Sequence, residues 1–140
     1  MVTHENAAES ALRPGLVGRA TANVTGALTA PALGSGSIAV YATPAMIALM
    51  EQAAVACADC HLKPGEATVG VALDVKHTAA TPPGLDVSAE ATLTAVDGRK
   101  LSFSIVARDA AGQIGEATHT RLVVDVAHFE ARLAGRCQPG

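Results

Sequence analysis

Large aromatic side chains are nearly missing from this chain: it has no tryptophan, and only Tyr41, Phe103 and Phe129 carry large rings. Val, Leu, Ile, Met and many alanines must build the core, and small core residues favour close approach of backbones. Clusters of lysine or arginine are missing too. With a net charge of -3, the chain offers no electrostatic footprint for nucleic acid and no basic anchor for a membrane surface. The strongly apolar stretch from Pro44 to Cys57 is too short to span a bilayer. The first residues contain no apolar run and include His4, Glu5 and Glu9, so they do not read as a signal peptide and the expected location is cytoplasmic. Cysteine is scarce and odd in number: three thiols in a reducing compartment argue against a disulfide framework.

What remains is organised as one domain, the ordinary expectation for 140 residues. Residues 1–15 read as a loose N-terminal arm and residues 16–140 as the domain. A threonine- and valine-containing alternation from Val17 to Leu28 predicts a first strand, and Gly34-Ser35-Gly36-Ser37 a loop. Thr43-Pro44 places a hydroxyl at an N-cap and proline at the first helical position, predicting a helix from Pro44 to about Cys60. That helix is apolar nearly all the way round, as a buried helix is. Alternating residues then predict strands from Ala67 to His77, from Leu85 to Leu93, from Leu101 to Ala107 and from Ile114 to Val126. Asp97-Gly98 marks a hairpin turn. Phe129 and Leu133, four apart, predict a short terminal helix. One strand, one buried helix and four more strands predict an α+β domain in which an antiparallel five-stranded sheet wraps a central helix, the outline of the hot-dog fold. Such a sheet leaves an edge or face open, so at least a homodimer is expected.

Several residues could carry chemistry. His77 closes the alternation of Val69, Val71, Leu73 and Val75 and runs into Thr78-Ala79-Ala80-Thr81-Pro82-Pro83-Gly84, a stiff turn. An imidazole there can act as a general acid or base, although by position alone a strand-end histidine bonded to a carbonyl is the simpler explanation. Glu51 interrupts the apolar helix, so its carboxylate is paired, protonated, beside a cavity, or at an edge reaching water. Thr43 is explained by capping alone. Gly70 breaks a valine-rich strand, which marks a bulge, a close ligand approach or tight packing on the helix. Arg121, in Thr118-His119-Thr120-Arg121, falls on the more polar parity of the last strand, where solvation or a phosphate or carboxylate contact would suit it. His119 shares that face without an assigned role. Cys57-Ala58-Asp59-Cys60-His61 matches a c-type haem attachment pattern. Haem attachment requires export, and a zinc site would have only Cys137 as a further thiol. Two helix-end cysteines with a histidine at a helix C-terminus explain the segment better, and no metal site is expected.

Taken together, Thr43-Pro44-Ala45-Met46-Ile47-Ala48-Leu49-Met50-Glu51, Gly70, the octapeptide from His77 to Gly84 and Thr118-His119-Thr120-Arg121 resemble the fluoroacetyl-CoA thioesterase family of hot-dog proteins, over roughly Tyr41 to Phe129. The resemblance implies that Thr43, Glu51 and His77 form the catalytic group and that Gly70 and Arg121 lie near the thioester. It implies hydrolysis of a short acyl-CoA to a carboxylate and free coenzyme A, with no cofactor other than the CoA of the substrate. Before the helix the chain departs from the family pattern, with Gly34 and Ser37 near the places of the aromatic pocket lid, so selectivity for fluoroacetyl is not implied. Competing readings are a hot-dog protein that binds an acyl thioester without cleaving it, and a hot-dog hydratase or dehydratase. A haem protein is a distant further alternative.

Overall fold

The computed structural model describes residues 11–137; the first ten residues of the expected N-terminal arm, His4 among them, lie outside the described residues. Five strands form one antiparallel sheet in the order β1-β3-β4-β5-β2. They are β1 (Val17–Asn23), β2 (Glu66–His77), β3 (Asp86–Asp97), β4 (Lys100–Asp109) and β5 (Gly112–Asp125). A one-turn helix, α1 (Ala30–Leu33), precedes the long helix α2 (Thr43–Ala58), and α3 (Val126–Arg136) ends the fold. The first strand is shorter than its sequence pattern, because Gly26–Leu28 closes into a 3-10 turn.

Period-two alternation delivers the inner face of the sheet. Val87, Ala89, Ala91 and Leu93 of β3 and Leu101, Phe103, Ile105 and Ala107 of β4 are all buried. The sheet curls around α2, which buries Ala45, Met46, Leu49, Met50, Ala53, Ala54, Cys57 and Ala58, a stripe at helical spacing. Ala48, Gln52 and Ala56 lie on the opposite, exposed side, and Glu51 is at the margin between the two. The scarcity of rings has its structural counterpart here: alanines on both helix and sheet let the two backbones come close.

Gly18 of β1 marks the closest approach. A Cβ added there would stand 2.3 Å from the Cys57 amide nitrogen and 2.4 Å from the Ala53 carbonyl oxygen. Both obstacles are helix backbone and cannot rotate aside, so Gly18→Ala is expected to cost about 3 kcal/mol through forced separation of strand and helix. A thermal melt checks this, and an unchanged Tm would contradict the packing.

The edge strand β2 is bonded to β5 on one side only among the described residues. Its register against β5 slips between Gly70 and Ala72. Val71 is the extra residue of this bulge and is exposed. The slip reverses the parity of the strand. Thr68 and Gly70 oppose Val123 and Arg121, whereas Leu73, Val75 and His77 oppose His119, Ala117 and Gly115. Residues directly opposite in an antiparallel pair share a face, so Gly70 and His77 end on the same side of the sheet. Strict alternation puts them on opposite sides, and the bulge corrects that expectation.

Candidate active site

The candidate catalytic and binding residues gather at two places. At the first, the start of α2 meets the end of β2: Thr43 Oγ1 lies 2.8 Å from His77 Nδ1. The expected capping role of Thr43 is not what the hydroxyl does. Ala42 occupies the N-cap with no side-chain bond, Thr43 is the first helical residue, and Pro44 follows it inside the first turn. The Thr43 hydroxyl is spent on His77 instead.

The turn after His77 is pinned from three sides. The Thr78 and Ala79 amides donate to the Ile114 carbonyl at 2.7 and 3.2 Å. The Thr81 hydroxyl, fully buried, donates to Asp109 Oδ2 at 2.7 Å, and this bond holds the Asp109 carboxyl below its ordinary range. The Thr81 carbonyl accepts from the Tyr41 amide at 2.8 Å, which ties the turn to the segment entering α2. Tyr41 presents its ring edge-to-face to His77, centroids 6.3 Å apart, and burial pushes its phenol up to about 12.

Burial pulls the His77 imidazole below its ordinary value of 6.5, so the ring is neutral at neutral pH. Its Nε2 is buried and has no hydrogen-bond partner among the described residues. A cavity of about 360 Å³ opens beside Thr43 and His77, walled by Ser35, Gly36, Ser37, Ile38, Tyr41 and Ala79. A neutral base on a hydroxyl, next to a cavity, is equipped for proton transfer during acyl transfer.

The second place is near the middle of α2. Glu51 Oε2 accepts from Arg121 Nη1 at 3.2 Å. Arg121 is 6% exposed and His119 3%, on the inward parity of β5 with Ala117 and Val123. Of the two readings left open for Arg121, the structure excludes the solvated face and shows the carboxylate contact. Arg121 also donates from Nε to Thr68 Oγ1 at 2.9 Å and from Nη2 to the Thr68 carbonyl at 3.1 Å. A buried guanidinium requires such full pairing. Gly70 faces this cluster: a Cβ there would fall 2.7 Å from Glu51 Oε2, 3.1 Å from His119 and 3.2 Å from Arg121. Among the sequence candidates, Thr43 joins His77, and Glu51 joins Gly70 and Arg121. At about 1.5 Å of rise per residue, the two groups stand roughly 12 Å apart along α2.

Sequence reasoning left His119 and Thr68 without roles. The signal was available for His119: Ala117, His119, Arg121 and Val123 alternate, and apolar residues at both ends of the run mark that parity as inward. In the haem-like segment, Cys57 is buried against the core while Cys60 is exposed. Burial pushes the Cys57 thiol up, with lesser influences from the Leu93 backbone and Cys60, so it behaves as a small core residue.

A curled antiparallel sheet around one long helix, with a threonine hydroxyl against a histidine at the helix start, is the arrangement of a hot-dog thioester hydrolase. Comparison with known proteins narrows this class. A family model described as fluoroacetyl-CoA-specific thioesterase matches residues 24–127. The fluoroacetyl-CoA thioesterase of Streptantibioticus cattleyicolor is 44% identical over 101 residues, covering 72% of this chain and 73% of that protein. A solved fluoroacetyl-CoA thioesterase superposes with a TM-score of 0.84 at 36% identity, over 91% of this chain and 98% of that one. A hot-dog-like protein from Thermanaerovibrio acidaminovorans gives 0.86 at 25% identity, over 94% and 98%. The chain belongs to the fluoroacetyl-CoA-specific thioesterase family.

Proposed function

We propose that this protein hydrolyses short-chain acyl-CoA thioesters at a site shared between the two subunits of a homodimer. The observation that carries this reading is the 2.8 Å contact of Thr43 with His77, combined with the buried, unpartnered Nε2 on the far side of the ring. When Nδ1 accepts the Thr43 proton, the other ring proton resides on Nε2 and needs an acceptor. Glu51 of the same chain is roughly 12 Å from Thr43 along the helix. Glu51 of the partner subunit supplies the acceptor. The edge of β2 left unpaired among the described residues and the exposed side of α2 carrying Ala48, Gln52 and Ala56 are the surfaces available for that pairing.

In this reading His77 takes the Thr43 proton as the hydroxyl oxygen attacks the thioester carbonyl carbon. The C–S bond then breaks, and His77 returns the proton to the departing CoA sulfur. Water, deprotonated by the same imidazole, attacks the acyl-threonine ester; the bond from the acyl carbon to the Thr43 oxygen breaks, the carboxylate is released, and His77 returns the proton to that oxygen to restore the hydroxyl. Gly70, next to the carboxylate-guanidinium pair, offers its backbone amide to the carbonyl oxygen. Arg121 acts through Glu51, since protein partners engage all of its nitrogens. This chemistry needs no metal and no cofactor beyond the substrate's CoA. A substituted form of the solved relative was crystallised with acetyl-CoA, which supports a short acyl group here. A cytoplasmic location is compatible with the use of CoA, and no helix among the described residues is long and apolar enough to cross a membrane.

Release of free thiol from a panel of short acyl-CoAs, with fluoroacetyl-CoA and acetyl-CoA as a discriminating pair, tests this reading. Thiol and carboxylate appear together in hydrolysis, whereas a binder releases neither and a hydratase changes the acyl mass without thiol. The pH profile adds a second criterion. The base must be unprotonated, so kcat/KM is expected to be level on the alkaline side and to fall on an acid limb set by His77. Burial pulls the imidazole down, whereas a carboxylate at Nε2 pulls it up, so the limb is expected at lower pH in Glu51→Gln than in the unsubstituted protein. An unmoved limb would exclude the pairing of His77 with that carboxylate.

A further inference from the structure

His119 lies between the β2 bulge and the catalytic carboxylate, and its two ring nitrogens have different partners. Nδ1 is 2.8 Å from the carbonyl oxygen of Ala72, an acceptor only, so Nδ1 carries a hydrogen. Nε2 is 3.1 Å from Arg121 Nη1, a donor only, so Nε2 presents its lone pair. Glu51 Oε2 stands 3.9 Å from Nε2, too far for a direct hydrogen bond. The geometry therefore defines a neutral ring with its hydrogen on Nδ1, fixed from both sides.

Ala72 is the residue at which the register of β2 resumes after the bulge, where the ladder is locally disrupted. His119 captures its carbonyl. The opposite nitrogen holds Arg121 Nη1, and that same Nη1 donates to Glu51 Oε2. Phe103 packs against the imidazole, ring centroids 6.2 Å apart, and limits its rotation. We infer that His119 is a positioning residue: by accepting from Arg121 it aims the guanidinium at Glu51, and so sets where the Glu51 carboxylate sits beside Gly70. This rests on the reading of Glu51 as part of the catalytic group. The chain of contacts runs from the Ala72 carbonyl through His119 and Arg121 to Glu51, and every link is a bond between a donor and an acceptor of fixed role.

Two substitutions separate this role from simple support of the strand. In His119→Gln the amide oxygen can occupy the place of Nε2 and still accept from Arg121. In His119→Asn the amide nitrogen can occupy the place of Nδ1 and still donate to Ala72, but the acceptor for Arg121 is lost. Misplacement of the carboxylate should lower kcat of His119→Asn by about tenfold or more with KM within about threefold, while His119→Gln stays within about threefold of the parent. In a Glu51→Gln background, His119→Asn should cost less than about twofold, because the group it positions is already disabled. The reverse ranking, with Asn active and Gln impaired, would show that the ring only supports the bulge and would overturn the inference. So would an undiminished loss in the Glu51→Gln background. If Glu51→Gln alone keeps full activity, the catalytic reading of Glu51 fails. If Glu51→Gln is inactive and His119→Asn is not, this inference alone fails. Nitrogen-15 NMR of the unsubstituted protein gives a readout independent of variant folding: the Nδ1–H neutral tautomer is expected at His119, and an Nε2–H tautomer or an imidazolium would overturn the assignment.

Discussion

Hybrid dimers formed from a His77→Ala chain and a Glu51→Gln chain are expected to recover about half the activity of the unsubstituted dimer, although each substituted protein alone is nearly inactive. Removing the base, or the carboxylate that supports it, should lower kcat by about a thousandfold, within the range attributed to such groups. The recovery follows from the placement of the two clusters. Thr43 bonds to His77, while Glu51 is held by Arg121 in the cluster that Gly70 faces. If the site combines Thr43 and His77 of one subunit with Glu51 of its partner, a hybrid carries both lesions in one site and neither in the other. The experiment uses two affinity tags to isolate hybrids, followed by thiol release from acetyl-CoA. Isolated hybrids with no activity above the parents would place the whole site within one chain. Full activity of Glu51→Gln on its own would remove the glutamate from the mechanism.

Gly70→Ala should strike activity and spare the fold. The new methyl would meet Glu51 Oε2 at 2.7 Å, with His119 and Arg121 just beyond. These are the ends of side chains, and Glu51 can swing away because its side chain is 43% exposed. The strand imposes no positive φ at Gly70, so alanine brings no backbone strain. The carboxylate must nevertheless leave its position, and a displacement of about 1 Å can cost on the order of a hundredfold in rate. We expect kcat to fall by about that factor with Tm nearly unchanged. Gly18→Ala should do the reverse, because its methyl meets immovable helix backbone. A Gly70→Ala protein of normal activity would show that the observed Glu51 position is not the working one.

Much of the architecture was legible from short-range pattern. The alternations in β3 and β4 identified the inner face residue by residue, since one side of those strands is buried and the other wet. The stiff turn after His77 and the Thr43-Pro44 helix start were legible because proline acts on its immediate neighbours. The polarity of β5 misled. His119 and Arg121 look like surface residues on composition, and their burial depends on Glu51, Thr68 and Ala72 being there to pair them, all at least 47 residues away in the chain.

By itself, then, the sequence determined the order of the elements, the faces of the regular strands and the residue types able to do acyl-transfer chemistry, because these depend on local periodicity and intrinsic reactivity. Only the tertiary structure decided which of those residues meet. A single extra residue at Val71 reverses the parity of β2 and turns Gly70 to the same side as His77. The Thr43 hydroxyl goes to the imidazole rather than to a helix cap, and Glu51 is held away from both in its own chain. Hydrogen bonding between distant segments sets these choices, and its geometry exists only once the sheet has curled around the helix.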